Sequence, residues 1–141
     1  MSESRMIVQA KGSYWINKAG LYHRIDGPAI EYVDGTTQWC LNGEFHREGG
    51  PAIEWASGRK EWYFNGVLHR VNGPAIEYVN KTKEWYKQGK RHRVSGPAIE
   101  WPNGSEGWYL EGNSYPSKEA WFNALTKEDQ IAYLFNMEAP K

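Results

Sequence analysis

The chain has 141 residues, with seventeen basic and seventeen acidic side chains and a formal charge of zero. That balance argues against a general nucleic-acid binder, which needs a clustered positive field to displace counterions. A lone cysteine, Cys40, excludes an internal disulfide and a cysteine-built zinc site, and fits a reducing compartment. No apolar run approaches the length of a membrane span, and Met1 to Arg5 is too polar to begin a signal peptide. The expectation is a soluble, cytoplasmic protein of one domain, residues 1–141, with no membrane partner.

Met1 to Arg5 reads as a loose end, and residues 6–22 read as a degenerate first repeat: Ile7 aligns with Ile30, and Gly12 with Gly35. The regular repeats occupy residues 23–114. His-Arg-x-x-Gly-Pro-Ala-Ile-Glu begins at His23, His46, His69 and His92, a spacing of 23 residues, and those are all four histidines of the chain. A fixed period of this size marks a repeat architecture. Register slips in the first copy, where Trp15 lies eight residues before His23, while Trp39, Trp62 and Trp85 lie seven before theirs.

Within a repeat, Pro51 to Trp55 alternates as a short strand, with Ile53 and Trp55 on one face and Ala52 and Glu54 on the other. Ala56-Ser57-Gly58 turns the chain, and Lys60 to Phe64 returns as a second strand centred on Trp62. Asn65-Gly66 signals a two-residue hairpin, Val67 to Arg70 a third strand, and Asn72-Gly73-Pro74 ends the pairing. The prediction is a mainly β fold: an antiparallel meander that grows by one hairpin per repeat, its glycines serving backbone geometry. Trp39, Trp62, Trp85 and Trp108 are expected to stack as its core. From 115 to 141 the pattern changes. Ser117 and Thr126 read as N-caps of two short helices, with Ala120, Trp121, Ala124 and Leu125 and then Ile131, Leu134 and Phe135 folding over the last strand as a cap.

The 23-residue period and the Trp-x-x-Asn-Gly-x-x-His core resemble the MORN repeat. Two departures are visible: Arg follows each His where that family usually has Gly, and the loop to Gly-Pro is longer. Trp62 to Tyr78 and Tyr115 to Glu119 are more similar to the tandem repeat proteins of tailed bacteriophages and large DNA viruses, which end in a short helical tail. The resemblance implies a β-hairpin repeat fold and a phage or viral origin. It brings no catalytic residues, because such proteins look like interaction modules, and fold-level analogy carries function weakly.

His23, His46, His69 and His92 recur in four equivalent settings, whereas an active site needs one asymmetric constellation of base, nucleophile and orienting group. With strands about 4.8 Å apart, successive histidines lie on the order of 10–15 Å apart, too far to share a metal. They are read as structural, with no catalytic residue, metal or cofactor. Glu31, Glu54, Glu77 and Glu100 are read as ion-pair partners of Arg24, Arg47, Arg70 and Arg93. Candidate binding residues are Arg47, Arg70 and Arg93 as an outward clamp, and Tyr63, Tyr86 and Tyr109, which alternation places opposite the tryptophans. Cys40 takes the tyrosine position of its own copy and is read as a passive small residue. The leading expectation is a non-enzymatic binding protein that blocks or sequesters a host protein target in the host cytoplasm. A binder of an anionic nucleotide is the alternative, an enzyme of phosphate or glycan chemistry a further one. Oligomeric state is left open.

Overall fold

A computed structural model describes residues 3–138. Its organising element is an eleven-stranded antiparallel sheet. Arg5–Gln9 and Gly12–Ile16 open it, and each repeat then adds one hairpin: Ile30–Tyr32 with Thr37–Gln38, Ile53–Glu54 with Lys60–Glu61, Ile76–Glu77 with Lys83–Glu84, and Ile99–Glu100 with Glu106–Leu110. Asn113–Tyr115 closes the sheet. The meander expected from the sequence is present. Its register fixes two faces, because side chains alternate along a strand. Ile53, Glu61, Ile76, Glu84 and Ile99 face each other across one surface, here called inner. Glu54, Lys60, Glu77, Lys83 and Glu100 alternate in charge across the outer one.

The return strand differs from expectation. Lys60 to Phe64 is not one strand: Lys60–Glu61 stays in the large sheet, while Tyr63–Phe64 leaves it to pair with Val67–Leu68. Trp62 is the corner, for its N–H donates to the Ala75 carbonyl and its own carbonyl accepts from His69 N–H in the hairpin. Cys40–Leu41 with Glu44–Phe45, and Tyr86–Lys87 with Lys90–Arg91, repeat this hairpin. Neighbouring hairpins are tied by Gly66 N–H to the Phe45 carbonyl at 2.9 Å and Gly89 N–H to that of Leu68 at 2.8 Å. The Asn65-Gly66 turn has φ of +48° and +81°, the double left-handed geometry that dipeptide supplies. In the first copy, the Asn17 carboxamide accepts from Ala19 and Leu21 N–H and absorbs the extra residue. His23 N–H still reaches the Trp15 carbonyl at 2.9 Å.

The tryptophans do not stack as a continuous core. Trp39, Trp62 and Trp85 are half-buried, and only Trp108 of that row is buried. The core is instead Ala29, Ala52, Ala75 and Ala98, all fully buried, with Ile30, Ile53, Ile76 and Ile99. Each buried isoleucine contributes about 1.5–3 kcal/mol. Small alanines let the wide indoles and their partners lie close to the sheet, so the rings roof the core rather than fill it.

Two helices, α1 (Lys118–Ala124) and α2 (Lys127–Glu138), complete the chain. Ser117 and Thr126 cap them as expected, accepting from Ala120 and Asp129 N–H. Trp121 packs on Trp108 with ring centroids 4.7 Å apart, and Trp108, Leu110, Trp121 and Leu125 form a local core. The second helix departs from its expected packing. Tyr133 turns inward to Trp121 and Phe122, while Ile131, Leu134 and Phe135 are exposed. No described helix is long and apolar enough to cross a membrane.

Candidate functional site

The His-Arg row is where sequence reasoning looked first, and its geometry recurs in every copy. The guanidinium carbons of Arg24, Arg47, Arg70 and Arg93 lie over the rings of Trp15, Trp39, Trp62 and Trp85 at 4.0, 4.0, 3.9 and 3.8 Å. Each Nη1 also donates to the proline carbonyl of its own loop: Pro28, Pro51, Pro74 or Pro97. Arg24, Arg70 and Arg93 reach Glu31, Glu77 and Glu100 at 3.5, 3.3 and 2.9 Å. Among the described residues, Arg47 makes no such pair with Glu54. The glycine before each proline makes room for this stack. A Cβ on Gly73 would lie 2.9 Å from the Arg70 Cζ, and one on Gly27 would lie 2.6 Å from that of Arg24. These glycines carry no positive φ, unlike those of the hairpin turns. Space, rather than backbone conformation, selects them.

Each histidine works between repeats. The Nδ1 atoms of His23, His46, His69 and His92 accept from the N–H of Asn42, Asn65, Gln88 and Glu111, at 2.9–3.0 Å. An Nδ1 that accepts carries no proton, so the ring is neutral with its hydrogen on Nε2. The donor in each case is the first residue of the next hairpin turn, which holds a left-handed φ of about +50° even where it is Gln88 or Glu111. Burial lowers the His92 pKa, partly offset by Glu111.

On the inner face sits a feature the sequence reading missed. Glu61 and Glu84 are buried, at 5% and 7% exposure. Glu61 accepts from Trp55 Nε1 at 2.7 Å and Tyr63 OH at 3.1 Å, and pairs with Arg59 Nε at 2.9 Å. Glu84 accepts from Tyr78 OH, Tyr86 OH and Arg91 Nε at 3.1, 2.9 and 3.0 Å. Tyr63 and Tyr86 are pushed up to about 12 by burial and by these carboxylates. Both phenols are held neutral by the fold. Tyr109 stands two residues after Gly107 instead of a glutamate, and a Cβ at Gly107 would lie 3.2 Å from its ring. Cys40 is buried opposite Phe45, and burial raises its thiol to about 11, far from a reactive thiolate. The signal for this network was Glu-Trp-Tyr at Glu61–Tyr63 and again at Glu84–Tyr86, a carboxylate at an inward alternation position.

The inner face ends, on the side of the Asp34-Gly35, Ser57-Gly58 and Asn103-Gly104 turns, in an aromatic row. Tyr32, Trp55, Tyr78 and Trp101 occupy equivalent places one repeat apart. Tyr32, Trp55 and Trp101 are each 41% exposed, with Val33 and Val79 exposed beside them. The turns at Gly58 and Val79 approach each other, since a Cβ on Gly58 would meet the Val79 side chain at 3.7 Å. Tyr78, between Trp55 and Trp101 in the row, is half-buried with the Arg59 guanidinium 4.8 Å over its ring. Trp55 and Tyr78 are held in orientation by their bonds to Glu61 and Glu84.

A cleft of about 820 Å³ opens beneath the helical cap, lined in part by Arg70, Trp85, Arg93, Glu111, Leu125 and Asp129. Both arginines there are already engaged by Glu77 and Glu100. Among the described residues, no group of three His, Cys, Asp or Glu side chains could hold a metal ion. No family model, curated protein or solved structure matches the chain.

Proposed function

We propose that the protein is a non-enzymatic binding module whose turn edge, built from Tyr32, Trp55, Tyr78 and Trp101, docks a protein target. The observation that carries this reading is the exposure of Tyr32, Trp55 and Trp101, 41% each, along one edge, with Trp55 held in orientation by Glu61, since exposed aromatics mark interaction sites and supply most hot spots. The Arg47, Arg70 and Arg93 clamp finds less support, because those guanidiniums already have a ring and a carbonyl each. Tyr63 and Tyr86 support the site from beneath by holding Glu61 and Glu84. The anionic small-molecule reading would use the cleft under the cap, but Glu111 and Asp129 share that lining and oppose an anion. A phage origin, a host target and the host cytoplasm as the place of action rest on the repeat's resemblance to viral proteins.

Affinity capture from host lysate tests the reading when run on paired variants. Tyr32→Ala and Trp101→Ala should lose the captured protein, while Val71→Ser, on an 82% exposed residue of a His-Arg loop, should keep it. Equal capture by all three variants contradicts the assignment of the edge.

A further inference from the structure

The large sheet ends differently on its two sides. Asn113–Tyr115 is a strand of three residues, stopped by Pro116 and followed at once by α1, which packs against it. Shortness, proline and a covering helix are the usual protections of a free strand edge. The opposite side has none of them. Arg5–Gln9 pairs with Gly12–Ile16 through five residues without a bulge, where the strands of the central repeats are two residues long. It contains no proline and no lysine, and Met6 and Val8 are exposed on it. Among the described residues, no strand pairs with its outward side.

The direction of its main-chain groups follows from its neighbour. Trp15 N–H donates to the Ala29 carbonyl at 2.7 Å, and the Trp15 carbonyl accepts from His23 N–H. Both bonds point away from Arg5–Gln9, so Trp15 shares none with Met6, its partner in the ladder. Met6 and, by alternation, Val8 therefore turn N–H and C=O out of the sheet. Their side chains lie on the outer face with Trp15. Ile7 lies on the inner face, across from Tyr14 and in line with Ile30.

What fits that side is the same strand from a second copy. In antiparallel pairing centred on Ile7, Met6 of one copy meets Val8 of the other, and both have outward main-chain groups to exchange. Ile7 meets Ile7 at the two-fold axis as a non-hydrogen-bonded pair, the kind whose side chains come closest. Arg5 meets Gln9. At the ends of the ladder Glu3 meets Lys11, both exposed and neither held in an ion pair among the described residues. Other registers fit worse. A slip by one residue faces Met6 with Ile7, whose main-chain groups point into the sheet. A slip by two sets Arg5 against Lys11 in one direction, and Val8 against Ser4 in the other.

From this self-complementarity we infer that the protein forms a two-fold dimer in which Arg5–Gln9 pairs with the same strand of a second copy. The contact is isologous, and the protected far side of the sheet stops growth at two copies. One strand pair is smaller than the roughly 1,200 Å² of stable complexes, which makes the dimer reversible. It does not depend on which target the turn edge docks.

Sedimentation equilibrium of the untagged full chain tests this, with dimer expected to form as concentration rises through about 10–100 μM. Val8→Pro removes an outward N–H that the sheet itself does not use. Melting temperature of the dilute chain should hold, while dimerisation weakens by at least about tenfold. Charge reversal checks the register. Glu3→Lys alone and Lys11→Glu alone should each dimerise at least about fivefold more weakly. An equimolar mixture of the two should recover wild-type association as a heterodimer, because both end pairs are again of opposite charge. A chain still monomeric at about 1 mM, dimers indifferent to Val8→Pro, or a mixture no tighter than its parts each overturns the inference. Dimers kept in Val8→Pro but lost in Phe135→Ser would place the contact on the exposed face of α2 instead.

Discussion

The two faces of the sheet treat repetition differently. On the outer face every copy is the same: an arginine on a tryptophan, held by a proline carbonyl, with a glycine leaving room for the guanidinium. On the inner face the equivalent positions drift, from Gln38 with Cys40, through Glu61 with Tyr63 and Glu84 with Tyr86, to Gly107 with Tyr109. The outer set joins a repeat to itself and, through its histidine, to the next, so any change is felt at a repeat junction. The inner set is a local network within one or two copies. Where the carboxylate is present, at Glu61 and Glu84, a phenol two residues on donates to it, while Tyr109 keeps the phenol beside a glycine. Uniformity therefore marks the joints of the array, and variation marks the surface that they support.

The largest effect is expected where the outer series ends. Pro116 stands where a further arginine would fall, and Trp121 covers Trp108 instead. Its indole Nε1 also donates to the Arg93 carbonyl at 3.1 Å. Trp121→Ala should cost about 3–5 kcal/mol by chemical denaturation, the range for a buried aromatic. Removing residues from 117 onward should add self-association in sedimentation, since Trp108 and Leu110 lose their cover. A truncated chain that stays monomeric and equally stable would assign the helices another purpose.

Next comes the inner network. Glu84→Ala strands two phenols and the Arg91 guanidinium, and should destabilise by about 3 kcal/mol, as breaking a buried pair does. Gln38→Ala, at the equivalent place beside Cys40, should cost under about 1.5 kcal/mol. Equal losses at both positions would erase the distinction between the copies.

Much of this was legible beforehand. The 23-residue spacing, the Asn42-Gly43 and Asn65-Gly66 turns and the Ser117 and Thr126 caps each encode a local geometry, and each is found as read. The misread features depend on which groups meet across repeats. Trp62 fits the centre of a strand by alternation, yet its backbone partners are Ala75, just before a strand of the large sheet, and His69, just after the hairpin. Arg70 and Glu77 form the ion pair expected of them, and what went unread is the ring beneath the guanidinium, eight residues earlier in the chain. Ile131, Leu134 and Phe135 have helical spacing, which gives a face but not what it touches. The aromatic edge was missed because Tyr32, Trp55, Tyr78 and Trp101 share a face with the buried isoleucines two residues earlier, and alternation gives a face but not its exposure. Their exposure follows from their place at the start of tight turns.

A smaller effect sharpens the account of the outer face. Gly73→Ala should cost about 1–3 kcal/mol, although this glycine has no left-handed backbone, because the methyl collides with the Arg70 guanidinium. Combining it with Arg70→Ala should give less than the sum of the two losses, as expected for residues in contact.

The smallest expected effect is on acidification. His92 has a lowered pKa in the folded state, so its contribution to stability is complete above the unfolded value of about 6.5. It is lost as pH falls through the folded pKa, when Nδ1 takes a proton and can no longer accept from Glu111 N–H. Melting temperature recorded over this window should fall more steeply for the wild type than for His92→Gln. Parallel curves would separate the histidine from the stability of the junction.

The most direct measurement compares Arg70→Ala and Arg70→Lys by melting temperature and by capture of the docked partner. Arg70 lies 3.9 Å from the Trp62 ring centre and bonds to Pro74 and Glu77. As a joint between these groups, its loss should cost about 2 kcal/mol, with lysine restoring little because it lacks the planar fork. Partner capture per folded molecule should then remain unchanged in both variants. Unchanged melting with lost capture would contradict the account, and would return the arginine row to the role of an outward clamp.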